Sequence, residues 1–82
     1  MQYLQENWED LANAIVVQAV KDYASAYRRL LRRPSNRFAQ KEITELERFF
    51  YGEWYAALTD LSPIYLIAKL REAIENDQLD LS

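Results

Sequence analysis

The stretch from Trp8 to Pro34, WEDLANAIVVQAVKDYASAYRRLLRRP, decides the fold. Within it Trp8, Leu11, Ala12, Ile15, Val16, Ala19, Val20, Tyr23, Tyr27, Leu30 and Leu31 recur at three- and four-residue spacing. That period lays apolar side chains along one face of an α-helix. The spacing predicts a helix over about 8–33, with Asn7 as its N-cap and Glu9 and Asp10 in the first turn, where carboxylates suit the positive end of the helix dipole. Arg28, Arg29, Arg32 and Arg33 crowd the last turns, where cations suit the negative end, and Pro34 closes the element. Ala12, Ala14, Ala19, Ala24 and Ala26 are small enough to let a second helix approach closely.

Beyond Pro34 the same period continues. Ser35 and Asn36 offer caps for a helix over about 36–51 that carries Phe38, Ala39, Ile43, Leu46, Phe49 and Phe50 inward and stops or kinks at Gly52, the one glycine of the chain. A short helix is expected over about 53–58, holding Trp54, Tyr55 and Leu58, followed by a turn at Thr59–Ser62. Ser62 before Pro63 is an N-cap with proline at the first helical position. It opens a last helix over about 63–75, with Ile64, Leu66, Ile67, Leu70 and Ile74 as its buried set. The polar segment 76–82 reads as a frayed tail.

Composition agrees. With one Gly and two Pro in 82 residues, the chain lacks the turn residues that a sheet of short strands needs. Half of it is apolar and 13% aromatic, well outside the range that leaves chains disordered. The fold class is all-α: a single domain over 1–82, a compact three-to-four-helix bundle around a long N-terminal helix. Cys is absent, which rules out disulfides and points to a reducing compartment. No basic segment followed by an apolar run opens the chain and nothing approaches a membrane span, so the expected location is the cytoplasm, with no membrane partner.

His is absent as well. The common general base, the usual nucleophile pairings and the nitrogen and sulfur metal ligands are therefore all missing, and the chain is not expected to be an enzyme or to hold a metal or cofactor. Glu42, Glu45 and Glu47 read as a solvated face of the second helix. No glycine-rich phosphate loop or calcium-binding loop is present.

Charge is distributed unevenly. Residues 1–27 carry −3, residues 28–52 carry +4 and residues 53–82 carry −4, within a net charge of −3. Arg28, Arg29, Arg32, Arg33 and Arg37, followed by Lys41, form a run with no acid in it. Arg28 and Arg32 share one helix face and Arg29 and Arg33 another. Clustered guanidinium groups fit an acidic protein patch or a phosphate backbone; they fit equally the dipole of their own helix and ion pairs to the acidic ends of the same bundle. Phe49, Phe50, Tyr51, Trp54 and Tyr55 are too many aromatics for one helix face. One or two of them must point outward, with Tyr51 the leading candidate, as core filling or as an interface anchor.

The segment 10–23 (DLANAIVVQAVKDY), with Glu47–Phe50 (ERFF) and Trp54–Thr59 (WYAALT), resembles short uncharacterised proteins carried by bacterial prophages and other mobile elements. Those relatives tend to have an Asp-Gly turn where this chain has Ser62-Pro63, while Tyr65-Leu66-Ile67 follows their pattern. The resemblance implies a genomic setting in which small inert proteins block host defence complexes, anti-CRISPR proteins among them, and it supplies no catalytic residues. The leading expectation is a non-catalytic inhibitor that binds a protein through Arg28, Arg29, Arg32, Arg33 and Arg37 with Tyr51 and Trp54 beside them. The alternatives are a nucleic-acid-binding accessory protein of phage replication or transcription, and a structural component that forms homo-oligomers through the first helix or the aromatic segment.

Overall fold

The computed structural model describes residues 2–76, with side chains described from Trp8 onward. Four helices follow in order: α1 over Gln2–Arg32, α2 over Arg37–Phe50, α3 over Glu53–Leu58 and α4 over Pro63–Glu75. The described chain contains no strand, and the all-α bundle is as the apolar period requires.

The first helix begins earlier than its apolar stripe. Asn7, expected as a cap, lies inside α1, and Glu9 and Asp10 lie beyond its first turn. Residues 2–7 include Leu, Glu and two Gln with no Gly or Pro, so nothing in that segment stops a helix from extending toward the N-terminus. The other boundaries follow local chemistry. The Asn36 side chain accepts from the backbone N–H of Ala39 and caps α2, so Asn36 rather than Ser35 is the cap. Ser62 accepts from the N–H of Tyr65, and Pro63 opens α4. Asn76 caps the C-terminus of α4; the expected frayed tail beyond it lies outside the described residues.

Gly52 separates α2 from α3 in extended backbone (φ −92°, ψ 175°), so its role is not left-handed geometry. A Cβ there would stand 3.1 Å from the carbonyl oxygen of Arg48 and 3.4 Å from that of Phe49. The chain turns tightly enough over the end of α2 that backbone occupies the space of a side chain.

α2 runs antiparallel to α1: Arg29 pairs with Glu42, and one and a half turns back Tyr23 meets Glu47 and Phe50. α4 packs alongside α1, with Arg71 against Tyr23 and Tyr27. The core holds Ala19, Tyr23, Ala24, Ala26 and Tyr27 of α1, Ile43 and Phe50 of α2, Tyr55 of α3, and Ile67, Leu70 and Ile74 of α4. Ala24 and Ala26 are fully buried, consistent with close helix approach at small residues, whereas Ala14 is exposed. Phe49, Phe50 and Tyr55 meet edge to face at 5.4–6.0 Å between ring centroids, the arrangement aromatic quadrupoles favour.

A polar network crosses this core. The Tyr23 hydroxyl donates to Glu47 Oε2 at 2.7 Å, Arg71 donates to the same carboxylate oxygen at 2.7 Å, and Arg71 Nε donates to the Tyr23 oxygen at 2.8 Å. Three helices are thereby joined at one point. Burial, reinforced by the bond to Glu47, holds the Tyr23 hydroxyl well above the ordinary tyrosine range. Glu47 therefore departs from the solvated face expected of it.

The Tyr55 hydroxyl is buried without a hydrogen-bond partner among the described residues, and burial pushes its pKa up. Such an orphan costs its full desolvation on folding. Tyr55→Phe is expected to stabilise the fold by about 1 kcal/mol, read as a higher urea midpoint at unchanged m-value. A lower midpoint would mean that the hydroxyl is satisfied in solution.

Candidate functional surfaces

Several large apolar side chains expected inside are on the surface. Phe38 is 84% exposed, Ile64 69%, Leu11 54%, Trp8 and Leu31 48%. For Phe38 the reason lies in register: Ala39, Ile43, Leu46 and Phe50 already form the stripe of α2 that faces the bundle. Phe38 falls one position off it, on the row of Glu42 and Glu45. For Ile64 the buried row of α4 is Ile67, Leu70 and Ile74, and Ile64 stands about a quarter turn away from it.

The arginines do not act as one group. Arg29 is bound to Glu42 on α2, and its Nε also donates to the carbonyl of Ser25; Arg28 is half-buried. Arg32, Arg33 and Arg37 are exposed and form no ion pair with the described residues. They surround the turn between α1 and α2 together with Leu31 and Phe38, giving a tip with three unpaired cations and two exposed apolar side chains.

Dipole complementation accounts for only part of this tip. Arg32 ends α1, where a cation is favoured. Arg37 is the first residue of α2, whose first turn holds no acid, so its charge stands at the helix end that disfavours it.

Tyr51 and Trp54 are exposed, 56% and 74%, which bears out the outward placement of Tyr51. They are not beside the arginines. They follow the far end of α2, separated from Arg37 by the whole fourteen-residue helix, about 20 Å at 1.5 Å per residue. Tyr51 lines a cavity of about 300 Å³ beneath the α3–α4 connection, with Phe50, Gly52, Tyr55 and Pro63. The expected single patch of arginine and aromatic residues is therefore two surfaces at opposite ends of α2.

A third surface lies along α1. Trp8, Leu11 and Ile15 form an exposed apolar stripe on its N-terminal half, which leads into a groove of about 330 Å³ between α1 and α2. Ile15, Gln18, Ala19 and Asp22 line one wall, Leu46 and Phe49 the other. The sequence shows this stripe as one broad apolar face, with self-association through the first helix among the expectations, but not which part of it is left uncovered. The signal available was length: α1 is more than twice as long as any other helix, so its partners cannot cover all of it.

Among the described residues no cluster of His, Cys, Asp and Glu could hold a metal ion, and no helix is long and apolar enough to cross a membrane. No family model, curated protein or solved structure matches the chain.

Proposed function

We propose that this protein is a non-catalytic binding module that grips an acidic surface of a protein partner through the α1–α2 tip. The observation that carries the reading is Arg37 and Phe38 side by side at the start of α2. One is a cation set against its own helix dipole, the other an aromatic left almost wholly in water. Neither placement benefits the isolated fold, and together they form the kind of arginine and aromatic anchor that dominates protein interfaces. Arg32 and Arg33 enlarge the positive patch, and Leu31 adds apolar area. In the mobile-element setting that the sequence resemblance implies, the partner is a subunit of a host nucleic-acid-targeting defence complex, and inhibition follows from occupancy alone.

The same three free guanidinium groups favour a second reading, contact with a phosphate backbone. Salt separates the two. Three phosphate contacts give a slope of about −2 to −3 in log affinity against log salt, whereas a contact anchored by Phe38 weakens far less.

The test is capture by the tagged full chain from lysate of a bacterial host, with and without nuclease, for the native protein, the R32E/R33E/R37E variant and Phe38→Ala. The expected result is a stoichiometric, nuclease-resistant protein whose recovery falls at least about tenfold in both variants while the helical circular dichroism is unchanged. Undiminished capture by the charge-reversed variant would remove the tip from the binding surface. Recovery of nucleic acid alone, lost on nuclease treatment, would establish the second reading.

A further inference from the structure

The exposed stripe of α1 is complementary to itself, and we infer that a second copy of this chain covers it. Place an antiparallel α1 along the groove with a two-fold axis at Ile15. Residues whose numbers lie symmetrically about 15 then face one another across the pair: Ile15 meets Ile15, Leu11 meets Ala19, and Trp8 meets Asp22.

Each of these pairings is chemically matched. Leu11, 54% exposed, lies opposite the small Ala19, a large side chain against a small one, as interdigitating helices require. Trp8 reaches the end of the groove walled by Leu46 and Phe49, which accepts an aromatic body. Its indole N–H, a donor only, comes to the level of the Asp22 carboxylate, an acceptor only. Asp22 is exposed and receives one bond, from the Gln18 amide at 2.9 Å, leaving acceptor capacity free.

Area also favours a second copy over an unrelated chain. The chain carries both the projecting arm, Trp8 to Ile15, and the groove, Ile15 to Asp22 with α2, so a two-fold arrangement fills both grooves with both arms. A foreign helix fills one. Stable interfaces bury about 800 Å² on each partner, and two arm-and-groove contacts approach that better than one, so the pair is expected as a reversible dimer. This surface is separate from the α1–α2 tip, and the inference does not depend on the proposed partner.

The experiment is sedimentation equilibrium of the full chain over a wide micromolar range, together with oxidative cross-linking. The chain has no cysteine, so single-cysteine variants report one position each. Ile15→Cys, at the axis, is expected to form a disulfide-linked dimer on mild oxidation. Val17→Cys, at a position more exposed than Ile15 (50% against 38%) but on the opposite face of α1, is expected not to. Ile15→Glu, which sets two carboxylates against each other at the axis, is expected to weaken dimerisation at least about tenfold with unchanged helicity. Monomer at every concentration would overturn the inference and leave the face to a different protein. A dimer that cross-links as well through Val17→Cys, or that tolerates Ile15→Glu, would overturn it by placing the contact elsewhere.

Discussion

Replacing Phe50 with Ala is expected to cost about 4 kcal/mol, roughly a third or more of the stability of a domain this size. Phe50 is fully buried, and its ring meets Tyr23 of α1 at 6.0 Å, Phe49 at 5.5 Å and Tyr55 of α3 at 5.4 Å. Three of the four helices therefore converge on one side chain. Truncation removes its transfer free energy and leaves a void lined by other rings, whose edge-to-face contacts are lost with it. An 82-residue domain has roughly 4–12 kcal/mol in all. The melting temperature should fall by roughly 20 °C. Phe38→Ala is the matched control: the same change at an 84% exposed position should move stability by less than about 0.5 kcal/mol. A loss at Phe50 below about 1.5 kcal/mol would show that the aromatic cluster is loosely packed.

That contrast between two phenylalanines of one helix marks what the sequence could and could not convey. Periodicity, the Ser62-Pro63 start and the lone glycine located all four helices, because those signals act through local backbone chemistry. Which face of a helix meets its neighbours depends on partners distant in sequence. Apolar identity alone therefore placed Phe38 and Ile64 inside, and it could not divide the broad stripe of α1 into its covered half and the exposed Trp8 and Leu11. The start of α1 was missed for a related reason: the apolar stripe begins at Trp8, but a helix can continue past the contacts that stabilise it when its residues have good helix propensity. The arginine run was legible as a cluster. Its division into paired Arg29, half-buried Arg28 and free Arg32, Arg33 and Arg37 required knowing that Glu42 crosses over from α2. Glu47 carried no local signal at all. Among the three glutamates of α2 it differs only in facing Tyr23 and Arg71, and that follows from how α1, α2 and α4 meet.

Removing that carboxylate is the second large expected loss. Glu47→Ala takes away the acceptor shared by the Tyr23 hydroxyl and Arg71, each at 2.7 Å, and leaves a guanidinium lying 5.1 Å over the Tyr27 ring without its ion-pair partner. A fully buried pair broken this way costs about 3–5 kcal/mol. The side chains of Glu47 and Arg71 remain 30% and 41% exposed, so water screens part of the penalty and about 2–3 kcal/mol is expected. The melting temperature should fall by roughly 10–15 °C. Arg29–Glu42 supplies an internal comparison, because it also joins two helices but is 42% exposed on both sides and has no third member. Glu42→Ala should cost under about 1 kcal/mol. The decisive measurement is the cycle of Glu47→Ala, Arg71→Met and the double variant in urea. If the carboxylate's main task is to satisfy Arg71, removing both partners should destabilise less than the sum of the single changes by at least about 1 kcal/mol. Additive losses would mean that the two residues contribute through packing alone. In that case the joint between α1, α2 and α4 would rest on the aliphatic stem of Arg71 against the tyrosine rings, and Arg71→Met would cost little on its own.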